Sequence, residues 1–80
     1  MKARITVTLK SGVLDPQGKA IEGALAGLGF VGAHDVRQGK IIELNLDESD
    51  EAAARARLDE MCRRLLANPV MENYSIELAR

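Results

Sequence analysis

Apolar residues occupy every second position from Ala3 to Leu9, with Arg4, Thr6, Thr8 and Lys10 between them, the period of a strand with one face buried. Asp15 then stands directly before Pro16. A carboxylate there can accept hydrogen bonds from the free amides of a first helical turn, and proline at the next position loses no helix bond and pre-sets φ. A helix is therefore predicted from Pro16 to about Leu28, with Ile21, Ala24, Leu25 and Leu28 as its apolar stripe and Gly29 as the left-handed residue that ends it. Gly18, Gly23 and Gly27 lie inside this helix. Each costs about 0.5–1 kcal/mol relative to alanine, which implies that something presses close.

From Val31 to Leu46 the chain reads as extended, with Ile42, Leu44 and Leu46 on one face and Glu43 and Asn45 on the other. Gly39 interrupts the run and is expected to be a hairpin tip or a bulge in a bent strand. A second helix follows: Asp47, Glu48, Asp50 and Glu51 gather at its start, Arg63 and Arg64 near its end, and both groups suit the helix dipole. Ser49 is the expected N-cap, and Ala54, Leu58, Met61, Cys62 and Leu65 form the buried stripe. Glu51 with Arg55, Asp59 with Arg63 and Glu60 with Arg64 are solvent-side pairs four residues apart. Asn68-Pro69 stops the helix, and Tyr74, Ile76 and Leu78 alternate with polar residues as a last strand. The order is β-α-β(β)-α-β. It predicts a single α+β domain over residues 1–80, a ferredoxin-like variant with an antiparallel sheet of three to four strands and two helices on one face.

Eighty residues with one phenylalanine and one tyrosine must build a small aliphatic core. A domain of that size buries only about 60% of the surface its unfolded chain exposes. An open sheet also leaves edges to be paired or protected, so a homodimer or higher even-numbered oligomer is expected. A net charge of −1 supplies no field for phosphate polymers or anionic lipid. Cys62 is the single cysteine and no apolar stretch is long enough to span a bilayer. A reducing cytoplasm is the expected compartment.

Little in the chain suggests chemistry of its own. The Asp15-Pro16-Gln17-Gly18 stretch could hold an anion at the helix start, but the capping logic accounts for it. No phosphate-loop pattern follows Gly12 or Gly18. His34 beside Asp35 is a poor acid–base pair, because neighbours on a strand point to opposite faces. Cys62 on the buried stripe behaves as a small hydrophobe, and no histidine–cysteine spacing fits a metal. Arg37 and Lys40 around Gly39 place two cations at a bend, where they could contact an anionic substrate or a partner's carboxylate, or simply be solvated. The small residues Ala20, Gly23, Ala24 and Gly27 could admit a close helix or the chain's own sheet.

The run from Leu9 through Gly12-Val13, Asp15-Pro16 and Gly18 to Ala20, together with Gly29-Phe30, Val36-Arg37, Gly39-Lys40 and Glu43-Leu44, resembles the PurS family over nearly the whole chain. These are small subunits of phosphoribosylformylglycinamidine synthase. The resemblance implies a non-catalytic subunit that assists assembly of a glutaminase and an ATP-dependent synthetase and the passage of ammonia between them. It implies no catalytic, cofactor or metal residue in this chain, with ATP and magnesium belonging to the large subunit. Asp15, Pro16, Gly18, Arg37, Gly39 and Lys40 become expected interface or fold-signature positions. A free-standing dimeric small-ligand-sensing regulatory domain shares the strand–helix order, and an unspecialised dimerisation module is a blander alternative.

Overall fold

The computed structural model describes residues 1–79. Three strands form one antiparallel sheet: β1 (Lys2–Leu9) lies in the centre, flanked by β2 (Gly39–Asn45) and β3 (Glu72–Ala79). Ile5 is opposite Ile42 on one side and Ile76 on the other, and Ala3 is likewise opposite Leu44 and Leu78. In these two rows one face is apolar across all three strands, as the period of two requires, and Lys40 opposite Val7 ends the apolar run on β2. The other carries Arg4, Glu43 and Glu77 in one row.

The apolar face is covered by α2 (Glu51–Met61) and the π-helical turn Cys62–Leu66 that continues it. Ala3, Ile5, Ala54, Leu58 and Cys62 are fully buried between them, with Val7, Leu46 and Ala67 nearly so. Asp50, not Ser49, caps α2, its carboxylate accepting from the Ala53 amide at 2.9 Å. Aspartate here combines a helix cap with a favourable charge at the positive end of the dipole. All three helix-face ion pairs form, at 2.9–3.6 Å. The expected stripe fails only at its last member. The Ala67 amide donates to the Cys62 carbonyl five residues back, so the wide turn shifts the register, Leu65 is turned out to 83% exposure and Ala67 takes the buried place.

The other helix, α1 (Pro16–Gly27), begins and ends as the sequence indicates. Asp15 is its N-cap and Pro16 its first residue. Gly29, at φ +93°, closes it: the Gly29 amide donates to Ala26 and the Phe30 amide to Leu25, the paired bonds of a Schellman motif. Its position is the unexpected feature. Within the chain α2 packs on β3, while α1 projects past the end of the sheet. The molecule is 49 Å long, about the length of an eight-residue strand and a twelve-residue helix laid end to end. Its radius of gyration is 16.0 Å, against about 12 Å for a compact chain of this size.

The segment from Val31 to Gln38 is not strand. It is an irregular connection with left-handed turns at Gly32 (φ +90°) and Asp35 (φ +53°). Backbone of that hand cannot continue a ladder. The extended run is confined to β2, and the sheet has three strands rather than four.

Candidate functional site

The positions singled out by the sequence converge where α1 leaves the sheet. Asp15 is the one buried charged side chain among the described residues, 6% exposed. Its two carboxylate oxygens are divided between two segments: Oδ1 accepts from the Gly18 amide at 2.9 Å, and Oδ2 from the Gln38 amide at 2.7 Å. The Gln38 bond, then the Gly18 bond, hold the carboxyl below its ordinary pKa of 3.8, because both stabilise the ionised form. A carboxylate with both oxygens committed to backbone amides is an anchor and not a proton carrier.

Three further contacts tighten the same junction. Glu22, one helical turn beyond Gly18, accepts from the Val36 amide at 3.2 Å, and this bond lowers its pKa. Arg37 Nη2 donates to the carbonyls of Leu9 at 3.1 Å and Lys10 at 3.0 Å, tying the connection to the end of β1. Gly18 lies against the Val36 carbonyl so closely that a Cβ there would collide with it and come within 2.9 Å of Asp15 Oδ2. The root of α1 is thus pinned to residues 36–38, and those residues to β1.

Gly39 has a different role from the one expected. It is neither hairpin tip nor bulge but the first residue of β2, paired with Thr8. A Cβ would lie 2.6 Å from the Val7 carbonyl, so glycine permits close approach of two backbones. Arg37 accordingly reaches back into its own chain. Lys40, on β2 opposite Val7, remains exposed. It lines a cleft of about 250 Å³ with Leu9, Asp15, Gln17, Gln38 and Glu72. On the other side of the junction, Leu14, Lys19, Val36 and Arg37 line a second cleft of about 310 Å³. His34 is exposed on the connecting loop. Gly23 and Gly27 have nothing within 4 Å of a built Cβ, so the expected close approach occurs at Gly18 alone of the three.

Cys62 is fully buried, and desolvation, with a smaller contribution from Asp59, pushes its thiol pKa above the ordinary value. This disfavours the thiolate that a nucleophile would need. Among the described residues no three His, Cys, Asp or Glu side chains gather as a metal would require. The junction therefore offers backbone-anchoring and surface, with no nucleophile–base pair.

Comparison with known proteins decides the family. The family model described as PurS, phosphoribosylformylglycinamidine (FGAM) synthase, matches residues 2–80. The chain belongs to the PurS family. The PurS subunit of phosphoribosylformylglycinamidine synthase from Synechocystis is 53% identical over 94% of this chain and 75% of its own length. Among solved structures, Bacillus subtilis PurS superposes with a TM-score of 0.88 at 42% identity, covering 99% of this chain and 98% of that one. The structure of PurLQS from Thermotoga maritima contains a chain matching at TM-score 0.86 and 33% identity, over 95% of this chain and 93% of that one. At such coverage the matched share of each chain includes most or all of the α1 segment.

The sequence located Asp15, Pro16, Gly18, Arg37 and Gly39 but not how they join. It missed Glu22 and Gln38 altogether. Glu22 has a faint signal, a carboxylate three residues after Lys19 with which it pairs at 3.7 Å. The Gln38 contribution is a backbone amide and carries no side-chain signal at all.

Proposed function

We propose that this chain is the small, non-catalytic subunit of the phosphoribosylformylglycinamidine synthase complex of purine biosynthesis, an ATP- and glutamine-dependent carbon–nitrogen ligase. The observation that carries the reading is the PurS match along residues 2–80, with the same fold in a chain of the Thermotoga PurLQS structure. In this role the chain bridges the synthetase and glutaminase subunits and supports ammonia transfer between them. It supplies surfaces to the reaction, with ATP and magnesium held by the large subunit. Residues 1–80 act as a single domain that assembles as a homodimer or higher even-numbered oligomer in the cytoplasm. No helix among the described residues is long and apolar enough to cross a membrane, and the buried free thiol of Cys62 suits a reducing compartment.

Of the signature residues, Lys40 is the one proposed to face a partner. Asp15, Gly18, Arg37 and Gly39 are engaged inside the chain, whereas Lys40 is an exposed cation at a cleft. The test is reconstitution with the synthetase and glutaminase and measurement of glutamine-dependent turnover with and without this chain. Turnover that is independent of the chain refutes the assignment. Lys40→Glu should weaken assembly more at low salt than at high salt, since its contribution is electrostatic. Unchanged assembly would place Lys40 outside the interface.

A further inference from the structure

The chain divides into two parts joined at the root of α1. The three strands and α2 share a core to which α1 contributes no residue. Asp15, Gly18 and Glu22 bind the first turns of α1 to residues 36–38, so residues 15–38 form one unit, the helix with the loop that returns from it. Two stretches of chain connect that unit to the sheet. Residues 10–14 make a turn, closed by the Val13 amide on the Lys10 carbonyl and carrying Gly12 at φ +88°. The other connection is the step from Gln38 into β2 at Gly39.

Two attachment points define an axis, and rotation about that axis is stopped only by a third. Arg37 supplies it. Its Nη2 donates to the Leu9 carbonyl at 3.1 Å and to the Lys10 carbonyl at 3.0 Å. Among the described residues no other side chain of residues 15–38 hydrogen-bonds or ion-pairs with the strands or α2. The target is itself held, since the Lys10 amide donates to the Met71 carbonyl at 2.9 Å beside β3. The leverage is long: α1 has twelve residues, about 18 Å, so a turn of about 20° at the root carries its far end about 6 Å.

We propose that Arg37 is a positioning residue, whose contact with the Leu9 and Lys10 carbonyls fixes the direction of α1 relative to the sheet and so holds the subunit in the shape that fits its complex. This rests on the subunit role proposed above. A chain whose two parts swing spends only a fraction of its time in the fitting shape, and its apparent affinity falls by that fraction. Once assembled it is held by its partners. A loosened hinge therefore raises the amount of chain needed without lowering turnover at saturation.

The experiment reads direction and assembly separately. Nitroxide labels at Ala26→Cys on α1 and Ala56→Cys on α2, both exposed positions, are placed in a Cys62→Ala background. Pulsed electron paramagnetic resonance gives the distance between them, with labelled chain diluted in unlabelled chain of the same sequence so that only distances within one chain are read. Arg37→Gln should keep its sheet signal in circular dichroism while this distance distribution broadens by several ångströms. In the reconstituted complex, half-maximal glutamine-dependent turnover should need about tenfold more of the unlabelled variant, as for a fitting fraction of about one tenth, with the plateau unchanged. A distribution as narrow as the parent's overturns the proposal. A broadened distribution with unchanged half-saturation overturns the link to assembly, and a lowered plateau at unchanged half-saturation overturns the positioning role. Turnover that does not need the parent chain overturns the subunit role, while the distances still decide the geometry. Arg37→Lys is the second variant. It keeps the charge but its amine ends about one bond short of Nη2, so it should broaden the distribution as well, and a narrow one would refute the two-carbonyl contact as the fixing element.

Discussion

Gly18→Ala and Gly23→Ala are the same chemical change in one helix, and the structure gives them opposite signs. Alanine in a helix interior gains about 0.5–1 kcal/mol over glycine, largely because the unfolded chain has less freedom to lose. Gly23 should show this gain undiluted: nothing lies within 4 Å of its built Cβ, and it sits on the side of α1 away from Ile21, Leu25 and Leu28. At Gly18 the same Cβ runs into the Val36 carbonyl and the Asp15 carboxylate. Neither is a floppy side-chain end. One is backbone, and the other is held by the Gln38 amide at 2.7 Å. Forcing such a shift costs about 1–3 kcal/mol, so the net loss at Gly18 is about 0.5–2 kcal/mol and the difference between the two variants about 1–3 kcal/mol. Because 1 kcal/mol moves the melting temperature of a domain this size by about 4–8 °C, the two should melt on opposite sides of the parent. The assay is thermal and urea unfolding followed by circular dichroism at fixed protomer concentration, since association contributes to stability. A stabilised Gly18→Ala would show that the junction yields freely and is no clamp. A destabilised Gly23→Ala would show that something presses on the face assigned here to solvent.

Leu58→Ala removes a fully buried side chain at the centre of the core and should cost about 2–5 kcal/mol, enough to leave much of so small a domain unfolded at 37 °C by circular dichroism. Cys62→Ala should cost about 1–2 kcal/mol or less in urea melts and leave turnover of the reconstituted complex unchanged; lost activity in a folded variant would point to thiol chemistry. The Asp15 carboxyl has a pKa below its unfolded value of 3.8, so its stabilising contribution is complete above about pH 4 and disappears as pH falls through the folded value. Asp15→Asn should therefore flatten the acid side of the stability–pH curve, and an unaltered curve would refute the clamp. Tyr74, the sole tyrosine, is held above its ordinary pKa of 10.0 by its hydrogen bond to Asp59. Its phenolate absorbance should rise with a midpoint above pH 10 in the native protein and nearer pH 10 in denaturant, with the associated stability lost as pH rises between the two.

What the sequence determined by itself is local. Strand β1 follows from alternation, α1 from Asp15-Pro16 and Gly29, and the ion pairs of α2 from spacing of four, because each depends on residues within about one turn of one another. The α+β order and the PurS resemblance are legible for the same reason. The misread positions are those where a local pattern had several outcomes. Ser49 and Asp50 are both competent caps, and the bond from the Ala53 amide to Asp50 is what decides between them. Leu65 continues a helical stripe only if the turn stays α, and the five-residue bond from Ala67 to Cys62 decides otherwise. Gly39 reads as a turn until the Val7 carbonyl is seen against it, and Arg37 reads as a surface charge until its carbonyl partners, 27 and 28 residues away, are known. Direction of α1 is the largest thing the tertiary structure alone settled. Its apolar stripe was plain in the sequence and predicted burial, but burial specifies only that apolar area must leave water, not what covers it. The bonds from Asp15 and Glu22 to residues 36–38, made across 14 to 23 positions of sequence, fix the root of the helix, and no local pattern encodes them.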